Sequence, residues 1–198
     1  RASIGAPRTW DPGAVDDLDF DGEIEQGETE AALARAVAWI ALICLAADGA
    51  VVTVVDVGTY AERAARINTF ARSHAEGVVC YLHANAGLPP GQTYPMVAHL
   101  TRSRAGLRAA ERLAECLSDY LPGEDAARIV AVGETESEGW RRNIYALLAP
   151  SWMLPFGWCG VVAEPFFVAG LRGLSGAARR DWINATVDAL VAFALEET

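Results

Sequence analysis

An α/β fold, a single domain whose mixed, mostly parallel sheet is flanked by helices on both faces, is predicted by two observations. Short β-branched runs alternate from end to end with longer stretches of helical periodicity, the order that buries a largely parallel sheet between helices. The chain has 198 residues, 52% apolar and 21% charged, enough for one well-buried core and short for two. Residues 1–198 are therefore expected to form one domain. A disordered or collagen-like chain is excluded by the same composition.

The elements follow in order. An opening strand is expected to end near Ile4, followed by a Gly, Pro and Asp-rich loop from Gly5 to Gly27. Glu28 opens a helix whose apolar residues Leu33, Val37, Ile40 and Cys44 fall at helical spacing, and Asp48-Gly49 ends it. Val51 to Val55 reads as a strand, Tyr60 to His74 as a helix with Ala64, Ile67 and Ala71 on one face, and Val78 to Leu82 as a strand. A turn at Leu88 to Gly91 leads to a strand around Thr93 to Ala98 and a long Arg/Glu-laced helix from Ser103 to Tyr120. Strands are expected at Ile129 to Val132, Ile144 to Leu148 and Cys159 to Ala163. A final helix starts near Ser175 and buries Ile183, Val187, Leu190 and Ala194.

Charge narrows the function classes. The net charge of -10 comes from 26 acids against 16 bases, all of them Arg, which argues against nucleic acid or an anionic membrane surface as partner. The longest apolar run, Ala31 to Ala47, is interrupted by Arg35. It falls short of the roughly 20 clean residues of a membrane span and reads as a core helix. The four cysteines, Cys44, Cys80, Cys116 and Cys159, stand 36 to 43 residues apart with no CxxC pair, the pattern of buried small hydrophobes rather than of a zinc knuckle or redox motif. A chain that starts at Arg1 is expected to be a trimmed product, which leaves room for a removed leader.

Of the three histidines, His74 ends an Arg-rich helix, where a cation suits the helix dipole, and His99 follows an apolar stretch as a structural hydrogen-bonder. His83 stands at the C-terminal end of a buried strand, in Tyr81-Leu82-His83-Ala84-Asn85-Ala86-Gly87. In open α/β sheets that edge is where ligands bind.

The stretch Tyr60-Ala61-Glu62-Arg63-Ala64-Ala65-Arg66-Ile67-Asn68, followed by Val78 to Leu82 and His83-Ala84-Asn85-Ala86, resembles the zinc-dependent N-acetylmuramoyl-L-alanine amidases of the type-3 family. There a helix "L-x-x-R-x-x-x-A-N" precedes a strand ending "S-[IL]-H-A-N-A". Asp11-Pro12-Gly13-Ala14 looks like the family's "D-P-G-A". Val161-Val162-Ala163-Glu164-Pro165-Phe166-Phe167 looks like its "V-L-V-E-x-G-F". The resemblance spans nearly the whole chain and implies Zn²⁺ held by Glu28 and His83, with Glu164 as the catalytic acid/base. Imidazole and carboxylate suit a hydrolytic zinc that keeps one position open for water.

The chain also departs from that pattern. The family reads "G-H-G-G" before "D-P-G-A", whereas here Gly5-Ala6-Pro7-Arg8-Thr9-Trp10 precedes Asp11. Ala6 therefore occupies a metal-ligand position with a methyl group that cannot bind zinc. Two explanations fit equally: a deliberate His-to-Ala change, for which alanine is the usual choice, and natural drift toward an inactive relative, with Pro7-Arg8 in place of two glycines and Phe166 in place of the family's glycine. Glu28, moreover, has Glu25 and Glu30 as neighbours, and an acid there also serves simply to stabilise a helix N-terminus.

The resemblance implies a peptidoglycan hydrolase domain, of an autolysin or endolysin, that cleaves the amide between N-acetylmuramic acid and L-alanine. Its partners would be peptidoglycan or muropeptides, and its place secreted or at the cell wall. A non-catalytic domain that binds peptidoglycan fragments or a protein partner is the alternative. A zinc amidohydrolase for another small amide ranks below both, with substrate choice set by loops such as Leu88 to Tyr94 and Glu134 to Gly139.

Overall fold

Val161, Val162 and Ala163 are apolar toward both sides of a strand, so both faces of that strand need cover, and this organises the molecule. A computed structural model describes residues 30–84, 94–123, 126–137, 139–171 and 174–196. In it these three residues are fully buried within a four-stranded sheet. The strands are β1 (Gly77–Leu82), β2 (Met96–Leu100), β3 (Arg128–Val132) and β4 (Trp158–Glu164), in the spatial order β1-β4-β2-β3. β4 runs parallel to β1 and antiparallel to β2, and β2 runs parallel to β3. The sheet is mixed and mostly parallel, as expected.

Alternation along the strands separates two cores. Val97, Val161 and Ala163 face α1 (Glu30–Ala47), α3 (Arg104–Tyr120) and α5 (Gly176–Glu196). Met96, Ala98, Leu100, Val132 and Val162 face Ile144 and Leu148 of α4 (Gly139–Leu148). Helix α3 is capped by Ser103, whose hydroxyl accepts from the Gly106 amide at 2.9 Å. It buries Ala109, Ala110, Leu113, Ala114 and Leu117, a stripe at helical spacing. Leu113 has 0% exposure at the centre of the larger core, so Leu113→Ala should lower unfolding stability by about 2–5 kcal/mol. Denaturant titration would show it as a shifted midpoint with an unchanged slope; a loss below about 1 kcal/mol would contradict this packing.

Helix α2 (Tyr60–Ala71) starts at a capping box: the Thr59 amide donates to Glu62 Oε2 at 2.7 Å, and the Glu62 amide donates to Thr59 Oγ1 at 3.3 Å. The final helix buries Val187 and Leu190, with Ile183 partly buried beside them. His74 and His99 are structural. Each Nδ1 lies against a backbone carbonyl oxygen, that of Phe70 at 2.9 Å and that of Leu100 at 3.0 Å.

Four expectations are corrected. Ile144 to Leu148 belongs to helix α4, not to a strand. Ile144 and Leu148 stand one helical turn apart on its buried face, and a five-residue apolar run cannot by itself distinguish the two periods. Val51 to Val55 forms no strand: the segment follows α1 without ladder partners among the described residues, and Val51 is 70% exposed. β-branched side chains favour a pleated surface but need a neighbouring edge to make one. In α1 the buried seam is Leu33, Val37, Ala41 and Leu45, while Ile40 is exposed. The helix is apolar all round, so spacing alone did not select its inner face. Of the strand expected around Thr93 to Ala98, the described residues form it from Met96 and carry it on to Leu100, and Thr93 lies outside them. The opening strand, the loop from Gly5 to Gly27 and the turn at Leu88 to Gly91 lie outside the described residues.

Candidate active site

The register between β1 and β4 is set at their starts. Gly157 takes φ +92°, and a Cβ there would stand 2.5 Å from the Ala75 carbonyl oxygen, so the turn admits only glycine. The Gly77 amide donates to the Gly157 carbonyl at 3.3 Å, and the Trp158 indole donates to the His74 carbonyl at 3.2 Å. Gly77 then pairs with Trp158, and the ladder runs without a bulge to Leu82 opposite Ala163. One step further the His83 amide donates to the Ala163 carbonyl at 2.9 Å. His83 and Glu164 thus stand side by side at the C-terminal ends of adjacent parallel strands, about 5 Å apart at the backbone. Pleat alternation puts both on the α4 face, with Tyr81 and Val162.

Glu164 is 7% exposed and His83 half-buried. Burying a carboxylate is costly, which makes Glu164 a group the fold retains despite its cost. After Pro165 the chain sinks two aromatic rings. Phe166, 1% exposed, packs with Leu33, Ala84 and Leu171, which ties the first turns of α1 to the residues directly after His83 and Glu164. Phe167 meets the Tyr94 ring edge-on, with centroids 4.8 Å apart and planes at 61°. The Arg128 guanidinium in turn lies 3.6 Å from the centre of the Tyr94 ring.

Of the sequence-predicted site residues, His83 and Glu164 are brought together, while Glu28 and Ala6 lie outside the described residues. Among the described residues no three His, Cys, Asp or Glu side chains are grouped as a metal ion needs. The imidazole and the buried carboxylate suit a hydrolytic cation in kind, and a full ligand set calls on further groups. Sequence reasoning passed over Arg128, and it met Tyr94 only as the end of a loop and Phe167 only as the end of a motif; the strand order brings the three to this edge.

The strand that carries His83 also carries two groups with displaced ionisation. Burial pushes the Tyr81 phenol up, and it pushes the Cys80 thiol up to about 12. Cys80 packs against the larger core, and all four cysteines are free thiols. The unfolded chain loses the Cys80 proton from about pH 9, whereas the native chain keeps it to about pH 12. Above pH 9 the unfolded state binds fewer protons, so this group's contribution falls as pH rises through that window, by up to about 1.4 kcal/mol per unit. Denaturant midpoints at pH 8 and pH 11 should fall further apart in the parent than in Cys80→Ala; an equal fall in both would remove Cys80 as the cause.

No family model and no curated protein matches the sequence. Solved structures do. The amidase AmiC2 of Nostoc punctiforme, an N-acetylmuramoyl-L-alanine amidase, superposes with TM-score 0.54 at 16% identity over 94% of this chain and 91% of its own. The CwlD amidase from Clostridioides difficile, solved in complex with the GerS lipoprotein, gives TM-score 0.59 at 12% identity over 95% and 93%. An N-acetylmuramoyl-L-alanine amidase from Clostridium difficile 630 gives 0.53 at 12% identity over 94% and 95%. The fold is that of the N-acetylmuramoyl-L-alanine amidases.

Proposed function

We propose that this chain is a peptidoglycan hydrolase domain that cleaves the amide between N-acetylmuramic acid and the L-alanine of the stem peptide. The observation that carries the proposal is the register that sets His83 beside Glu164 on the C-terminal edge of an amidase-like sheet. The site would be reached outside the cytoplasmic membrane, at the cell wall. None of the described helices is long and apolar enough to cross a membrane.

Glu164 does the proton work. Its carboxylate accepts a proton from the attacking water, and the protonated acid returns it to the departing alanine nitrogen. Its low exposure excludes competing water and keeps the charge close to the reacting atoms. Glu28 and His83 would hold Zn²⁺, which when bound polarises the scissile carbonyl and acidifies water. Packing of Leu33 against Ala84 and Phe166 supports the role of Glu28, because it brings the start of α1 to the same edge. Phe166 in place of a glycine is accommodated by that same cluster.

Ala6 favours the second reading, a non-catalytic domain that binds muropeptides, since it removes one metal ligand. The two are separated by incubating purified sacculi with the protein and excess Zn²⁺ and labelling newly freed amino termini. Hydrolysis predicts N-terminal alanine that a chelator abolishes. Saturable muropeptide binding with no freed alanine would establish the binding domain instead.

A further inference from the structure

The strand register carries the site further along the same edge. Glu164 pairs with Met96, and Met96 pairs with Arg128. Residues directly opposed across strands point to the same face, so His83, Glu164, Met96 and Arg128 form one row on the α4 side of the sheet. Arg128 stands two strands from Glu164, about 10 Å at the backbone. It is exposed, and its guanidinium is held flat on the Tyr94 ring, which is itself braced by Phe167. No ion pair joins Arg128 to a carboxylate among the described residues. Stacking fixes the plane of a guanidinium while leaving its N–H edge free, which is the arrangement that receives a carboxylate through two parallel hydrogen bonds.

From this row we infer that Arg128, oriented by Tyr94, binds the free carboxylate of the peptide residue that follows L-alanine, on the leaving-group side of the scissile amide. This rests on the muramoyl-amide reading above. Two residues of extended chain span about 7 Å, and an Arg side chain covers the remainder of the distance from Glu164. Arg128 would therefore read the stem peptide, and an amidated stem would be a poorer ligand than an acidic one.

The test uses a matched pair of probes. N-acetylmuramoyl-L-alanyl-γ-D-glutamyl-L-lysine is titrated into the protein by calorimetry with the α-carboxylate of its glutamyl residue either free or converted to the carboxamide. The parent should bind the free acid about tenfold more tightly, and Arg128→Gln should abolish that preference, weakening the free acid far more than the carboxamide. Arg128→Lys, which keeps the charge and loses the fork, should lose several-fold of the preference and serves if the glutamine variant is unstable. Equal binding of the two probes by the parent, or an undiminished preference in the folded variants, would overturn the role of Arg128 and leave the proposed function standing. If the parent binds neither probe, the muramoyl-amide reading fails and this inference fails with it.

Discussion

Ala6→His is expected to raise the affinity of the chain for Zn²⁺ by roughly 10²- to 10³-fold. A complete four-ligand zinc site binds with about 10–16 kcal/mol, so one ligand carries about 2.5–4 kcal/mol. In the parent only Glu28 and His83 are proposed as ligands, and zinc should bind loosely. The variant should bind about one zinc per chain in competition with a chromogenic chelator. It should also melt at a higher temperature with metal, since a ligand at about 100 times its dissociation constant stabilises the native state by about 2.7 kcal/mol. Zinc affinity equal to the parent's would mean that the Pro7-Arg8 loop does not present position 6 to His83.

Glu164→Gln should lower hydrolysis by roughly 10² or more, both in the parent with excess zinc and in the Ala6→His background. The amide keeps the volume of the side chain and loses the base. The side chain is almost fully buried at the end of a central strand, so the control is the thermal transition, which should stay cooperative. A variant that folds and turns over at the parental rate would take Glu164 out of the mechanism.

The local elements were legible where period and punctuation agreed. Ala64, Ile67 and Ala71 at helical spacing announced α2 and the Arg/Glu-laced run announced α3, and the structure adds their caps, Thr59 with Glu62 and Ser103. The run Ile144 to Leu148 was not legible, because five apolar residues satisfy a strand and one turn of helix alike. The inner face of α1 was hidden for a different reason: Trp39, Ile40 and Ile43 are as apolar as the residues that are buried. Helix α5 then decides which side turns inward.

The site was legible in its parts and not in its assembly. His83 and Glu164 could each be placed at a strand end from the sequence, since each follows an apolar run and resembles a family motif. That their strands are neighbours depends on pairing between distant segments, which no local signal encodes. The pairing of Arg128 with Tyr94 was invisible for the same reason. They meet only because β3 lies beside β2, and an arginine at the start of a strand carries no mark of its own.

The most direct measurement is hydrolysis of a muropeptide in H₂¹⁸O with Zn²⁺ in excess, followed by mass spectrometry of both products. Water activated by Glu164 at the muramoyl amide should place one ¹⁸O in the lactyl carboxylate of the sugar fragment and none in the released L-alanyl peptide. The label should disappear with chelator and with Glu164→Gln. Label in a carboxyl group of the peptide fragment would contradict the proposed bond, and intact muropeptide with no label in either fragment would contradict hydrolysis by this chain.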